Sequence, residues 1–163
     1  MIKRVLLILL SAVLLIIAQS SNAFSEPLPD IQNFKNDAEK SALNKQPIFL
    51  YVSAVGCPYC KRLEKDILGP MLKSGEYHNR LILRKILWEG TDTLYDYAGK
   101  EILPDEFLLK YNIMATPTIL FLDNNGNEIA KRITGYRTPD LYWYYLDTSV
   151  EKAVAVLEKG TLR

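Results

Sequence analysis

The chain is poor in cysteine and poorer in histidine: two cysteines and a single histidine, His78, are all that its 163 residues contain. A structural zinc site draws about four ligands, mostly cysteine and histidine, so this set cannot complete one without help from a second subunit, and no metal is expected. Small secreted domains held by disulfides carry several spaced cysteines. Here the pair is Cys57 and Cys60, and so local a bridge closes too short a loop to constrain much of the unfolded chain. No long basic block occurs, and Lys plus Arg (20) nearly balances Asp plus Glu (19). Nucleic-acid binding driven by counterion release has little to work with. Internal repeats and low-complexity tracts are also lacking, and no cysteine ends the one long apolar run, which argues against a lipoprotein.

That run is Val5 to Ala18, preceded by Lys3 and Arg4 and followed by a small, polar stretch ending at Ala23. Ser21 and Ala23 occupy the two positions a signal peptidase prefers. The run is short of the roughly 20 apolar residues of a spanning helix. We therefore expect a secretory signal over 1–23, cleaved after Ala23, rather than a retained anchor. Residues 24–29, with Pro27 and Pro29, read as an extended lead-in, and 30–163 as one domain of a size that can bury a real core. Lys3 and Arg4 are the only charges removed, so the mature chain holds 18 basic and 19 acidic residues. Export places the cysteines beyond the inner membrane, in the periplasm, where thiols tend to pair.

Along the domain, Ile31, Phe34, Ala38, Ala42 and Leu43 recur at helical spacing behind Asp30, a candidate cap, and Pro47 closes that helix. IFLYVS (48–53) is short, apolar and rich in branched and aromatic residues, a buried strand. A turn, Ala54-Val55-Gly56, leads into a helix over about 57–72 with Pro58 in its first turn; Gly69-Pro70 is expected to kink or end it. LILRKILW (81–88) predicts a second strand. Residues 89–103 read as loop with a short helical turn, and 105–111 as a short helix. TILFL (118–122), the turn Asp123-Asn124-Asn125-Gly126 and 128–133 form a strand, hairpin and returning strand. A last helix starts at Thr138-Pro139-Asp140, with a break expected near Asp147-Thr148-Ser149 and with Leu141, Tyr145 and Leu146 facing the sheet. This order gives an α/β fold, a mixed sheet with helices on both faces.

The two sulfurs are not equivalent. Cys60 shares a helical face with Leu63, Ile67 and Met71; Cys57 shares one with Lys61 and Glu64. Cys57 therefore looks outward and Cys60 inward, close enough to bond. Cys57 also lies at the positive end of the helix dipole, beside free backbone N–H groups, and Lys61 adds a nearby positive charge. Such surroundings bring a cysteine pKa from about 8.5 to between roughly 3.5 and 7.5. An exposed thiolate of this kind attacks a disulfide in another protein, and Cys60 then resolves the mixed disulfide.

The strand before Cys57-Pro58-Tyr59-Cys60, Ala115-Thr116-Pro117-Thr118 opening a strand, and the Asp123 to Gly126 hairpin together resemble the thioredoxin-like superfamily, in particular its small exported bacterial members. The resemblance spans about residues 30–159. It implies a thioredoxin-like fold with a central mixed sheet of four or five strands. It implies that Pro117 is cis and lies against the cysteines, that Thr116 offers its backbone to the substrate chain, and that Pro58, Tyr59, Val55, Met114 and Ala115 line the cleft. The chain departs from the family at two positions. Gly56 stands where thioredoxins carry tryptophan, and Tyr51 where they carry a buried aspartate that accepts the inner thiol's proton. Tyrosine, with a pKa near 10, is a poor base at neutral pH, which leaves water or Glu64 as candidate acceptors.

The expected function is a periplasmic thiol–disulfide oxidoreductase that reduces exported proteins. Cys57 is the nucleophile, Cys60 the resolving thiol, and Lys61, Glu64 and Tyr51 are modulators. It needs no cofactor beyond the cysteine pair. Expected partners are exported proteins with disulfides or thiols and a membrane electron donor, with the chain a monomer. An oxidase or isomerase of the same fold and a non-catalytic binding module are the alternatives. His78 reads as a surface loop residue, and Tyr142 to Tyr145 as core packing with hydroxyl tips at the surface.

Overall fold

The computed structural model describes residues 27–160; the signal segment 1–23 and the first part of the lead-in lie outside the described residues. Helix α1 (Phe34–Asn44) leads into strand β1 (Ile48–Ser53), and the helical stretch that follows is α2 (Pro58–Leu63), a π turn (Glu64–Leu68) and α3 (Gly69–Ser74). Then come β2 (Ile82–Leu87), β3 (Leu94–Tyr95), β4 (Glu101–Ile102), α4 (Pro104–Lys110), β5 (Thr118–Leu122), β6 (Ile133–Thr134) and α5 (Pro139–Lys159). The main sheet has four strands in the order β2-β1-β5-β6. β1 runs parallel to β2 and antiparallel to β5, and β5 is antiparallel to β6.

β1 and β5 are central and buried along their whole length, which is why both read as continuous apolar runs rather than alternating ones. Their alternate side chains fill two cores. On one face Phe49, Tyr51, Ile119 and Phe121 pack with Cys60, Leu63, Ile67 and Met71 and with Leu146 and Val150 of α5. On the other, Ile48, Leu50, Leu120 and Leu122 pack with Phe34 of α1 and Phe107 of α4, whose rings stack 4.3 Å apart.

Several boundaries differ from the sequence reading. α1 begins at Phe34, capped by Asn33, whose side chain accepts from the Asn36 N–H at 3.0 Å. Asp30 is not the cap because the lead-in pairs with β2 instead: the Lys85 N–H donates to the Pro29 carbonyl (2.9 Å) and the Ile31 N–H to the Lys85 carbonyl (2.8 Å). The buried face of α1 is Phe34, Asp37 and Ser41, while Leu43 is exposed; a buried ion pair at Asp37 overrides the apolar pattern. The helix after Cys57 does not stop at Gly69-Pro70. The π turn widens the coil so that the Gly69 N–H reaches the Glu64 carbonyl, and the coil accommodates a proline that cannot donate. A side chain at residue 69 would press on that same carbonyl, with its Cβ 3.1 Å from the oxygen.

Residues 89–103 hold no helical turn; β3 and β4 form a small hairpin. The return strand is shorter than 128–133. Glu128 bridges to Leu122 and the Ile129 N–H donates to Phe121, but regular pairing resumes at Ile133. In between, the Lys131 carbonyl takes the Ser149 hydroxyl (3.0 Å) and Arg132 donates to the Tyr111 carbonyl (2.9 Å). α5 is unbroken, because the hydroxyls that suggested a break are used elsewhere: Ser149 as above, and Thr148 on the Tyr144 carbonyl at 2.7 Å. Its buried face is Tyr142, Leu146, Ser149, Val150 and Ala153, and Leu141 and Tyr145 are exposed.

Candidate active site

β1 ends at Ser53, and the chain must turn through Ala54-Val55-Gly56 to enter α2. Gly56 takes a φ of 69°, the left-handed region that glycine enters without cost. The turn is closed by the Cys57 N–H on the Ala54 carbonyl (3.4 Å). It is also pinned from the side: the Val55 N–H donates to Glu89 Oε2 at 2.9 Å. Cys57 is the N-cap of α2, with Pro58 in the first turn. Its sulfur does the work of a capping oxygen, accepting from the Cys60 N–H at 3.1 Å.

Cys57 and Cys60 are joined in a disulfide with Cα atoms 5.3 Å apart. Cys60 is 2% exposed and belongs to the core, whereas Cys57 is half-buried at its edge. The Thr116–Pro117 peptide is cis. It brings the Thr116 hydroxyl within 3.6 Å of Cys57 Sγ as a donor, across 59 residues of sequence. Pro117 is buried, and its carbonyl accepts from the Gly135 N–H at 2.7 Å. On the segments that bear Cys57 and Thr116, Val55 (70% exposed), Tyr59 (52%) and Met114 (88%) stand open to solvent, far more exposed than such side chains are in a core.

Behind the disulfide lies a polar cluster. Tyr51 is fully buried, and its hydroxyl lies 3.1 Å from Glu64 Oε1, 3.2 Å from Ser53 Oγ and 3.5 Å from the Cys60 carbonyl. One phenol has one proton and a carboxylate can only accept, so Tyr51 donates to Glu64 and accepts from Ser53. Burial, and then the neighbouring Glu64, push the Tyr51 phenol far above its ordinary range, although the Ser53 hydroxyl works the other way. Lys85 Nζ donates to the same Glu64 oxygen at 3.1 Å and lies 5.8 Å from the centre of the Tyr51 ring.

Of the residues singled out from sequence, Cys57, Cys60, Pro58, Tyr59, Thr116 and Pro117 are gathered at one corner, and Tyr51 and Glu64 meet beneath it. Lys61 touches Cys57 through its backbone, donating to the Cys57 carbonyl at 3.2 Å, while its side chain is exposed. His78 is exposed in the segment between α3 and β2. Sequence reasoning passed over Ser53, Lys85 and Glu89. Lys85 carries a signal, one of two adjacent charges, with Arg84, inside an otherwise apolar strand; Glu89 carries none, since its partner is a backbone N–H 34 residues away. Among the described residues no group of three or more metal-binding side chains gathers, and no helix is long and apolar enough to cross a membrane.

The sequence pattern of the thioredoxin-like domain matches residues 34–149. The thiol:disulfide interchange protein DsbD of Yersinia pestis is 32% identical over 92 residues, which are 56% of this chain and 14% of that protein; the chain thus spans a small part of the relatives it matches. Among solved structures, the DsbH oxidoreductase superposes with a TM-score of 0.56 at 16% identity, covering 82% of this chain and 92% of that one. A thioredoxin from Thermus thermophilus does so with a TM-score of 0.54 at 16% identity, covering 75% and 87%. With the domain pattern covering most of its length and a bonded cysteine pair at the head of α2, the chain belongs to the thioredoxin-like family and carries the redox motif of its thiol–disulfide oxidoreductases.

Proposed function

We propose that this protein is a periplasmic thiol–disulfide oxidoreductase that reduces disulfides of exported proteins. The observation that carries the reading is the asymmetry of the pair: one sulfur at the surface on a helix N-terminus, its mate buried behind it. In the dithiol form Cys57 is the nucleophile. The Cys60 N–H and the Thr116 hydroxyl, both aimed at its sulfur, stabilise the thiolate together with the helix dipole. Thr116 and Pro117 on one side and Pro58 and Tyr59 on the other hold an extended stretch of the substrate, and Val55 and Met114 supply apolar contact.

The thiolate forms a bond to one substrate sulfur, and the substrate disulfide breaks, releasing the other sulfur as a thiolate. Cys60 then attacks Cys57, frees the substrate's second thiolate and leaves the Cys57–Cys60 disulfide. Two electrons pass to the substrate. A donor dithiol, on a membrane protein reaching across the inner membrane, restores the reduced pair. The matched stretch of the DsbD relatives and the signal-like residues 1–23 support the compartment and the chemistry.

Insulin reduction by the dithiol form tests the activity: the wild type is expected to turn over and Cys57→Ser to lose it. Equal, background rates for both would leave a binding module. The reduction potential fixes the direction, with a value near −270 mV supporting the reductase and one near −120 mV an oxidase.

A further inference from the structure

The two edges of the main sheet are finished differently. The outer side of β2 is taken by the lead-in, whose Pro29 carbonyl and Ile31 N–H pair with Lys85. The outer side of β6 has no such cover among the described residues. There the Gly135 N–H donates to the Pro117 carbonyl, and Thr134 stands opposite Thr118. That register makes Thr118–Thr134 a pair that exchanges no hydrogen bonds, so the Thr134 N–H and C=O point away from the sheet. We infer that this edge, with the groove between it and α5, binds an extended segment of a partner protein that carries carboxylates on either side of an apolar stretch.

The groove holds about 290 Å3. Ile133 packs on the same core as α5. Lys131, Gly135 and Arg137 follow it at alternate positions, as an extended chain requires of residues on one face, and all four line the groove. Arg132, out of step with them, bonds Glu128 and the Tyr111 carbonyl instead. The Arg137 stem lies along Gly135, its Cγ 3.9 Å from where a Cβ would stand. Across from the strand is the Tyr145 ring, 44% exposed. Apolar surface is thus flanked by two cations.

The charges decide which strand fits. Lys131 and Arg137 have no ion pair among the described residues, and no carboxylate lines the groove. In a chain with 20 basic and 19 acidic residues, this is a local excess that an acidic partner complements. Two copies of this chain paired antiparallel about Thr134 would set Lys131 of each against Arg137 of the other. Like charges directly opposite are destabilising, and lysine beside an edge is a guard against such pairing. A strand with a glutamate opposite each cation turns the guard into attraction, and its backbone supplies the bonds that Thr134 lacks. None of Cys57, Tyr59, Met114 and Thr116 lines the groove, so docking here is separate from the chemistry of the cysteines.

The probe is the end-blocked peptide Glu-Thr-Val-Thr-Val-Thr-Glu, titrated into the full, oxidised chain and followed by amide NMR. Its glutamates fall opposite Lys131 and Arg137 and its central threonine opposite Thr134. Shifts centred on residues 131–137 and slowed exchange of the Thr134 N–H are expected, with binding that weakens as salt rises. The double variant Lys131→Glu, Arg137→Glu should bind about ten-fold more weakly or worse, and should instead take the peptide with lysines in place of glutamates. Unchanged amide shifts away from the groove show that this variant is folded. A probe N-methylated at its central threonine should lose affinity to a similar degree. No binding by the wild type at millimolar probe, equal affinity in the double variant, or shifts centred on Cys57 and Thr116 would overturn the proposal. Full affinity for the N-methylated probe would do so too, since it would leave a charge contact without a strand. A concentration-dependent dimer that protects Thr134 without the probe would hand the edge to a second copy. Phosphatidylglycerol vesicles that bind the wild type more tightly than the probe does would hand it to a lipid surface, and either result overturns the proposal. Insulin reduction reports on Cys57 alone, so a failure there is distinguishable from a failure here.

Discussion

Arg84 and Lys85 are neighbours on β2 and point to opposite faces of the sheet, and each finds a carboxylate on a helix. The two pairs are built differently. Arg84 meets Asp37 of α1 with two parallel bonds of 2.7 Å, Nε to Oδ2 and Nη2 to Oδ1, and the Asp37 side chain is 4% exposed. Lys85 meets Glu64 through a single oxygen that it shares with Tyr51, and both side chains are substantially open, 27% and 40%. A planar guanidinium on a carboxylate fixes α1 against the sheet and leaves nothing free to react. An ammonium on a half-exposed carboxylate fixes little. The closed pair sits away from the cysteines; the open one lies beneath them.

The largest effect should come from breaking the closed pair. Arg84→Met leaves Asp37 buried, with only the peripheral Lys40 ammonium 3.6 Å away, and should cost about 3–5 kcal/mol in urea unfolding. Lys85→Met should cost no more than about 1 kcal/mol, as half-exposed pairs do. Equal losses would erase the distinction between the two pairs.

A second test falls on the Asp37 face, at the turn that closes it. Gly126 has a φ of 80°, and a Cβ there would lie 2.8 Å from the Tyr111 hydroxyl and 2.8 Å from Tyr97 Cε2. That hydroxyl donates to the Gly126 carbonyl at 2.7 Å. Gly126→Ala should lose about 2 kcal/mol or more of stability from backbone strain and displaced rings without changing the reaction of Cys57, read by insulin reduction.

A smaller effect concerns pH. Burial pushes the Tyr111 phenol up to about 12, the nearby Tyr97 hydroxyl lowers it in part, and Glu128 and Asp123 raise it further. The unfolded phenol ionises near 10, so above that pH the unfolded chain binds fewer protons than the folded one. This contribution is fully present below about pH 10 and is lost as pH rises towards 12, by about 1.4 kcal/mol per unit. Urea midpoints that stay level across that window would show that Tyr111 is not held in its neutral form by the fold.

How much of this could be read in advance depended on how local the cause was. IFLYVS and TILFL were legible because strands buried on both faces admit little but apolar residues. The start of α2 was legible because Gly56, Cys57 and Pro58 each do something a helix entry requires. Asp30 failed as a cap because its backbone neighbours found strand partners 55 residues away. Thr148 and Ser149 failed as breakers because one hydroxyl could turn back on its own helix and the other could reach Lys131. Leu141 and Tyr145 failed as core residues because a helix's rotation against a sheet is set by the whole contact, here by Tyr142 and Leu146. At the site, Cys57 and Cys60 were plain, while Ser53, Lys85 and Glu89 gained meaning only when three separate segments met.

The order of residues by itself determined that one sulfur caps a helix and the other, three residues on, faces the core, because helical periodicity acts within a single turn. Only the folded chain decided what surrounds them: that Thr116 donates to the outer sulfur, and that Tyr51, Glu64 and Lys85 form the polar floor under the inner one. Those contacts join β1, β2, the head of α2, the π turn and the segment before β5, and a hydrogen bond between side chains 13 to 59 positions apart is written in no local pattern.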